Sequence, residues 1–301
     1  MDIKRFAAID IGSNSVRLLI ENVLDNGEGP MFKKSALIRV PVRLGGNAFK
    51  NKAIPEITIR QLIDAMIGFK HIMRANNVLH YKGCATSAMR EAANGASIVR
   101  RIKKEAGLDI EIISGNTEAH IIFNSQNAVR EKLGKNCVFI DVGGGSTEIT
   151  VFKNGKIHAA KSFRIGTIRL LQKSVTRSEW KKMREWLRSK VYRMRDMRVI
   201  GSGGNINRIS KLVQLKTGKP LTLSKLESII AELKQYSYDE RIKKFDLNPD
   251  RADVIIPAGE IFITLMKWLH ATEIFIPKVG LGDGIVREVY KEYLDGKTSK
   301  L

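Results

Sequence analysis

The sequence predicts an α/β protein built from two similar domains that face each other across a cleft. Three observations lead to this fold class. The 301 residues suit two domains of ordinary size. Apolar stretches of strand type alternate with amphipathic stretches of helix type. One distinctive stretch near the N-terminus recurs near the middle of the chain, which indicates two related domains, placed here at residues 1–125 and 126–301.

The recurring stretch consists of an apolar strand, an aspartate, a loop of small residues and a second strand. Its copies are Ala8–Ser15 and Phe139–Ser146. Each reads as two apolar residues, Asp, one apolar residue, Gly, two small residues and Ser. Glycine lets the backbone approach a ligand closely, and the N–H groups of such a loop form a concavity for phosphate. Two such loops on opposite sides of a cleft are predicted to bind adjacent phosphates of one ligand.

The residues of these loops are the candidate phosphate contacts. They are Gly12, Ser13, Asn14 and Ser15 in the first copy and Gly143, Gly144, Gly145 and Ser146 in the second. Asp141 and Glu148 flank the second loop, and carboxylates beside phosphate are where Mg²⁺ is usually held. A glycine-rich hairpin turn without a ligand is the alternative for the second copy, and the first copy weighs against it.

In the first domain, apolar patterning predicts a meander of three strands followed by alternating helices and strands. The expected strands are 6–11, 16–22, 35–44, 81–85 and 109–113, with a loop at Gly45 after the third strand. The expected helices are 58–76, 97–106 and a helix from Glu118 to about Gly134. In the helix over 58–76, apolar side chains recur at helical spacing and are assigned to the core.

The second domain is predicted to continue in the same way. Its expected strands are 138–142, 148–152, 156–163, 198–201 and 273–276. Capping boxes at Thr176–Glu179 and Ser224–Glu227 predict the starts of two helices, the first ending near Met194. Further helices are expected after Thr167, after Ile206, before His270 and over residues 285–296.

The charge of the chain limits its partners. The sequence contains 52 Lys and Arg against 31 Asp and Glu, a net charge of +21. Such a field attracts polyanions, and nucleic acid, an anionic membrane surface and inorganic polyphosphate all qualify. A merely solubilising surface charge is the alternative. The basic face of the helix after Thr176 has the same two interpretations, a polyphosphate track or a solvated face.

Other features concern the compartment. Cys84 and Cys137 lie far apart in apolar surroundings, which is typical of buried free thiols in a reducing compartment. No stretch reaches about 18 apolar residues, so we expect no membrane partner. The N-terminus lacks the apolar region of a signal peptide. These features together predict a cytoplasmic protein.

Five motifs together give the chain a specific resemblance. They are Asp10–Ser15, Ala85–Ala92, Ile113–Ala119, Asp141–Glu148 and Gly201–Gly204. With them the chain resembles the exopolyphosphatase and guanosine pentaphosphate phosphohydrolase family, within the actin-like and sugar-kinase-like ATPase superfamily. The resemblance implies two ribonuclease H-like (actin-like ATPase) domains around an interdomain cleft. It also implies that the final helix, 285–296, packs on the first domain.

The resemblance also assigns roles to residues that patterns alone leave open. It implies that Glu118 is the catalytic glutamate, whereas its position in the first turn of a helix would by itself suggest a helix-dipole role. It implies that Arg90 contacts phosphate, where a surface pair with Glu91 is the alternative. The glycine turn at Gly203 and Gly204 is a further candidate site for an anion or a nucleoside.

The expected activity is magnesium-dependent hydrolysis of the terminal phosphate of inorganic polyphosphate by a water that Glu118 activates. The first alternative is hydrolysis of guanosine pentaphosphate to the tetraphosphate, a reaction of the stringent response. An ATP-dependent kinase and a non-enzymatic polyanion- or nucleic-acid-binding protein are further alternatives. Nucleic acid is disfavoured because the sequence shows no zinc site and no series of exposed aromatics. Longer relatives have an additional helical domain, so a grip on very long chains would require a homodimer.

Overall fold

A computed structural model describes residues 3–25, 27, 29–124, 134–216, 218–277 and 279–296. The chain divides into two compact units. Unit 1 comprises residues 1–125 and 281–301, and unit 2 comprises residues 126–280. The final helix, Leu281–Leu294, therefore belongs to unit 1. The predicted bounds of the second domain, 126–301, included this helix, while the resemblance implied that it packs on the first domain.

Within the described residues, unit 1 contains a five-stranded sheet in the order β3-β2-β1-β4-β5. The strands are β1 (Ile3–Ile11), β2 (Val16–Asp25), β3 (Pro30–Val40), β4 (His80–Ala85) and β5 (Ile110–Ile112). The first three strands form an antiparallel meander, while β1, β4 and β5 run parallel. The carboxyl ends of these parallel strands consequently lie at one edge, where open α/β sheets bind ligands.

Before residue 125, the described part of unit 1 contains five helices. They are α1 (Gly45–Asn51), α2 (Glu56–Ala75), α3 (Ser87–Glu91), α4 (Gly95–Ala106) and α5 (Gly115–Asn124). The predicted loop at Gly45 is wrong because α1 begins there, with the Gly45 amide donating to the Ser13 carbonyl at 2.8 Å. The predicted third strand, 35–44, is also shifted, because pairing with β2 sets its ends at Pro30 and Val40. The predicted continuation of α5 toward residue 134 lies outside the described residues.

The core of unit 1 joins the sheet to the final helix. Phe6 on β1 packs edge-on against Tyr290 of that helix, with the ring centroids 5.5 Å apart. Buried Val286 and Val289 belong to the same apolar cluster, together with Ile121 of α5. The final helix is thus an integral part of the unit 1 core.

Unit 2 contains, among the described residues, a six-stranded sheet in the order β10-β11-β9-β6-β7-β8. Its strands are β6 (Cys137–Val142), β7 (Thr147–Lys153), β8 (Lys156–Phe163), β9 (Arg198–Ser202), β10 (Leu221–Thr222) and β11 (Glu273–Phe275). Strands β6, β9 and β11 are parallel, and β7 is antiparallel to both β6 and β8. Each sheet therefore has its first strand between an antiparallel hairpin partner and a parallel neighbour, a similarity that two related domains would show.

Seven described helices accompany this sheet. They are α6 (Thr167–Leu171), α7 (Arg177–Val191), α8 (Gly204–Leu212), α9 (Leu223–Lys234), α10 (Tyr238–Phe245), α11 (Pro249–Ala252) and α12 (Ile255–Trp268). The side chain of Thr176 caps α7 by accepting a hydrogen bond from the Glu179 amide, as predicted. The predicted cap at Ser224 is wrong: α9 begins earlier, and Thr222 caps it by accepting from the Lys225 amide.

Two compositional expectations can be compared with the described structure. Cys84 and Cys137 are both buried and free, and burial raises the pKa of the Cys84 thiol to about 12. No helix among the described residues combines the length and apolar character needed to cross a bilayer. Each unit combines a β-sheet with several α-helices, which confirms the predicted α/β fold class.

Candidate active site

The first loop, Gly12–Ser15, closes the hairpin between β1 and β2. The Gly12 amide donates to the Ser15 carbonyl at 3.2 Å, and a side chain at Gly12 would lie 3.1 Å from that oxygen. The carbonyls of Ser13 and Asn14 accept hydrogen bonds from the amides of Gly45 and Arg43. The loop carbonyls are thus held back by the rest of unit 1, which fixes the loop conformation.

Two helix starts lie at the same edge of the sheet as this loop. Ser87, the first residue of α3, shares a 2.8 Å hydrogen bond between its Oγ and that of Ser13. On the same helix, Arg90 donates from Nη1 to the Ile113 carbonyl. That nitrogen also lies 3.7 Å from Oε2 of Glu118, in the first turn of α5. A continuous chain of contacts therefore connects the first loop, Arg90 and the buried Glu118.

The position of α5 depends on the final helix. Gly284 in this helix has no side chain, and a Cβ there would lie 2.1 Å from the carbonyl oxygen of Ile121. Contacts below about 3.0 Å do not occur for real Cβ atoms. Gly284 is therefore required for the close approach of the two helices. Because Ile121 is on α5 with Glu118, this approach also sets the position of Glu118.

The second loop, Gly143–Ser146, has the same construction. The Gly143 amide donates to the Ser146 carbonyl at 2.9 Å, and a side chain at Gly143 would lie 3.2 Å from that oxygen. Within the described residues, the amides of Gly144, Gly145 and Ser146 donate no hydrogen bond. These three donors are available to a ligand, and backbone donors in a small-residue loop are suited to phosphate.

The start of α6 holds the carbonyl groups of the second loop. The amide of Thr167 donates to Gly143 and that of Ile168 to Gly144, while Arg169 donates from Nε to the Gly145 carbonyl at 2.6 Å. Gly166 allows this approach, since a Cβ there would lie 2.5 Å from the Gly144 oxygen. With the carbonyls tied to α6, the peptide groups of the loop are fixed in one orientation.

A pair of carboxylates lies beside the second loop. Asp141 on β6 is directly opposite Glu148 on β7, so their side chains project from the same face of the sheet. Asp141 accepts a hydrogen bond from the Ser202 hydroxyl at 2.5 Å, and Glu148 accepts one from Ser162 at 2.7 Å. Both hydrogen bonds hold the carboxylates in defined orientations.

The equivalent position in unit 1 carries a different residue. Asp10 on β1 is opposite Arg17 on β2, and Arg17 Nη1 lies 3.5 Å from Asp10 Oδ2. The first loop thus has an ion pair where the second has two carboxylates. Metal binding by Asp141 and Glu148 stays a prediction, and the ion pair in unit 1 offers no second carboxylate for an equivalent site there.

The donor set around Asp141 and Glu148 suits Mg²⁺. It offers two carboxylates and, next to them, the Ser202 hydroxyl, all hard oxygen donors. The described residues contain no group of three or more His, Cys, Asp or Glu side chains arranged for a metal. Mg²⁺ commonly binds one or two carboxylates and completes its shell with water and substrate phosphate, so a pair is sufficient.

The third glycine turn adjoins the same carboxylates. Gly203 has a φ of +106°, and a Cβ on it would lie 3.1 Å from Oδ1 of Asp141. The carbonyl of Gly204, at the start of α8, accepts a hydrogen bond from Arg251. The turn therefore brings the N-terminus of a nine-residue helix next to Asp141. An anionic or nucleoside contact at Gly203 and Gly204 remains a prediction.

The structure brings the predicted site residues together within each unit. Gly12–Ser15, Arg90 and Glu118 are connected in unit 1. Asp141, Gly143–Ser146 and Glu148 are connected in unit 2.

Sequence reasoning missed several residues that support the two groups: Ser87, Gly166, Ser202 and Gly284. Gly166 and Gly284 are visible in the sequence, but each is needed because the backbone packs closely there against a segment that is distant in the sequence.

Comparisons with known proteins identify the family of the chain. The sequence model of the Ppx/GppA phosphatase family matches residues 26–292. A bifunctional 3-dehydroquinate synthase/phosphatase of Fusobacterium nucleatum is 28% identical over 83% of this chain, which spans 41% of that protein. Exopolyphosphatase 1 of Mycobacterium leprae is 23% identical, with 97% of this chain and 91% of that protein covered.

A third relative and a solved structure extend the comparison. A guanosine-5'-triphosphate,3'-diphosphate pyrophosphatase of Vibrio cholerae is 22% identical over 95% of this chain, which spans 59% of that protein. The crystal structure of the Ppx/GppA family member of Aquifex aeolicus is 27% identical, covers 97% of this chain and 99% of its own, and has a TM-score of 0.76. This likeness confirms an α/β protein with two domains of the actin-like ATPase fold. The match along most of the sequence shows that the chain belongs to the Ppx/GppA phosphatase family.

Proposed function

We propose that the protein is an exopolyphosphatase, which removes the terminal phosphate of inorganic polyphosphate in a magnesium-dependent reaction. The observation that carries this proposal is the second loop, with three available amides beside a pair of oriented carboxylates. Relatives named exopolyphosphatase support the choice of substrate.

Glu118 is the proposed general base. Its carboxylate would orient the attacking water and accept its proton as the bond to the terminal phosphorus forms. Burial of Glu118 and its 3.7 Å contact with Arg90 restrict the carboxylate to one orientation. A positioned base of this kind contributes about 10² to 10⁴ in rate.

The remaining residues would bind and neutralise phosphate. The loops Gly12–Ser15 and Gly143–Ser146 would donate hydrogen bonds to phosphoryl oxygens, and Arg90 would stabilise the charge that develops on them. Asp141 and Glu148 would hold Mg²⁺, which neutralises phosphate charge when bound. Little covalent chemistry is needed from the protein, because positioning and charge stabilisation supply most of the rate in phosphoryl transfer.

Guanosine pentaphosphate is the second candidate substrate. It also ends in a phosphoanhydride, so the residues above would serve it equally. The Vibrio cholerae relative named as a pyrophosphatase of this nucleotide supports it. The start of α8, with Gly203 next to Asp141, is where a nucleoside contact would add affinity.

A phosphate-release assay distinguishes these possibilities. Wild-type protein is incubated with short and long polyphosphates and with guanosine pentaphosphate, each with Mg²⁺ and with a chelator. We expect release from polyphosphate with Mg²⁺ at a higher kcat/KM than from the nucleotide, and none with the chelator. Faster release from guanosine pentaphosphate would establish the second candidate instead, and release from neither substrate would refute both.

A further inference from the structure

Positive charge is concentrated in one part of unit 2. Residues 153–198 contain fifteen Lys and Arg but three Asp and Glu, a net charge of +12. The whole chain carries +21, so 46 of its 301 residues hold more than half of the excess. This segment runs from the end of β7 through β8, α6 and α7 to the start of β9. The proposed catalytic chemistry uses none of the basic residues exposed on β8 and α7.

Exposed cations form a row along α7. The row consists of Arg177, Lys181, Arg184 and Arg188. Their intervals of four, three and four residues place them on one side of the helix, and all are exposed. At 1.5 Å per residue the row is about 16 Å long, with close to one cation per helical turn.

The side of α7 opposite the cation row faces the outer strand of the sheet. Trp186 of α7 packs edge-on against Phe163 of β8, with the ring centroids 5.4 Å apart. The ammonium group of Lys161 lies 5.4 Å from the centroid of the same Phe163 ring. With 3.6 residues per turn, Trp186 lies on the opposite side of α7 from the cation row, so Lys161 does not extend this row.

Most of these cations have no acidic partner in the described part of the chain. On α7, Lys181 lies 3.8 Å from Glu185 and Lys182 lies 3.6 Å from Glu179. These exposed pairs are weak. The residues of the segment that form no ion pair with described carboxylates are Lys153, Lys156, Lys161, Lys173, Arg177, Arg184, Arg188, Lys190, Arg193, Arg195 and Arg198. Their charge is therefore available to an external polyanion.

An aromatic ring lies next to the end of the row. Tyr192, which follows α7 directly, is 67% exposed, and the Arg193 guanidinium lies 5.1 Å from its ring centroid. Exposed aromatic rings among cations are the contacts that single-stranded nucleic acids use, with bases stacked on the ring and phosphates bound by Lys and Arg. The sequence prediction disfavoured nucleic acid for lack of exposed aromatics, and the structure supplies one within the basic surface.

We propose that this surface binds single-stranded nucleic acid; we call it the α7 surface and define it by Arg177, Lys181, Arg184, Arg188 and Tyr192. Phosphates would lie along the cation row, and a base would stack on Tyr192. Inorganic polyphosphate would also be attracted to the row, but it has no base and gains nothing from an exposed tyrosine. This inference does not depend on the proposed phosphatase substrate.

The test measures binding of a fluorescently labelled single-stranded RNA of about 20 nucleotides to the full chain by anisotropy, at several salt concentrations. The double variant Lys181→Glu with Arg188→Glu should raise Kd at least about tenfold and flatten its salt dependence, since each lost phosphate contact of a single strand lowers the slope by about 0.7. The control is Arg100→Glu with Lys104→Glu on α4 of unit 1, which changes the net charge equally at two exposed sites. The control should change Kd less than about threefold at physiological salt.

Tyr192 separates nucleic acid from other polyanions. Tyr192→Ala should raise Kd for the RNA about 5- to 150-fold through loss of one stacking contact, while Tyr192→Phe retains the affinity. The Kd for inorganic polyphosphate of matched charge should be the same in wild type and Tyr192→Ala. Three results would overturn the proposal: no RNA binding at physiological salt, equal losses in the double variant and its control, or an unchanged RNA Kd in Tyr192→Ala. In the last case, tight polyphosphate binding would identify a general polyanion surface.

Discussion

The substitution Gly284→Ala examines the link between the final helix and the proposed base. A methyl group at this position would lie 2.1 Å from the Ile121 carbonyl oxygen, whereas real contacts begin near 3.0 Å. The two helices must therefore separate by about 1 Å, and Glu118 moves with the helix that carries Ile121. A misplacement of about 1 Å can lower the rate about 100-fold. We expect kcat for polyphosphate hydrolysis to fall by about this factor, with KM nearly unchanged.

The matched control for this variant is Gly280→Ala. A Cβ at Gly280 meets no atom within 4 Å, so its kcat should equal that of wild type. Overpacking at Gly284 is also expected to lower the free energy of unfolding by about 1–3 kcal/mol, which urea unfolding measures. The assay therefore uses protein shown to be folded by its urea transition. Folded Gly284→Ala with a kcat within about threefold of Gly280→Ala would refute the positioning argument.

Three further predictions concern other parts of the molecule. Gly166→Ala should raise KM by about tenfold or more in steady-state assays, because its Cβ would lie 2.5 Å from the second loop. The control Gly68→Ala, in open space on α2, should leave KM unchanged. Equal KM values for the two variants would contradict the account. Glu148→Gln should raise the Mg²⁺ concentration for half-maximal activity at least about tenfold. A Mg²⁺ titration of this variant and of the exposed control Glu273→Gln measures the change. Equal half-maximal Mg²⁺ concentrations in the two variants would contradict the prediction. Burial, with Asp283 nearby, raises the pKa of Glu21 to about 7 from 4.5, so the folded state binds this proton more tightly and stability is lost as pH rises from 4.5 to 7. Relative to Glu21→Gln, wild type should lose about 3 kcal/mol in urea unfolding between pH 4.5 and 8, and a pH-independent difference would exclude this assignment.

The strands and the two loops were predictable because their information is local. Alternation of apolar residues and the repeated Asp and Gly positions locate β1, β2, β6 and β7 within a few residues. The cross-strand register then follows from the short loops, and it places Glu148 opposite Asp141. The same register places Arg17 opposite Asp10. The sequence therefore also contained the information that the first loop has an ion pair where the second has two carboxylates.

Features that depend on distant contacts were missed. The start of α1 at Gly45 resembles a loop in sequence, but the hydrogen bond from its amide to Ser13 stabilises a helix start there. At α9, Ser224 and Thr222 are both acceptable caps, and the pairing of β10 with β11 decides for Thr222. The roles of Gly166 and Gly284 depend on backbone atoms that approach from other segments, which no local pattern reveals.

The proposed base is tested most directly by measuring binding and hydrolysis separately in Glu118→Gln. The amide keeps the size of the side chain but cannot accept the proton of water, so kcat for phosphate release should fall about 10²- to 10⁴-fold. The Kd for polyphosphate, measured by calorimetry, should stay within about threefold of wild type, as should both quantities in Glu111→Gln, an exposed control on β5. Hydrolysis by Glu118→Gln at the wild-type rate would contradict the assignment of Glu118 as the base.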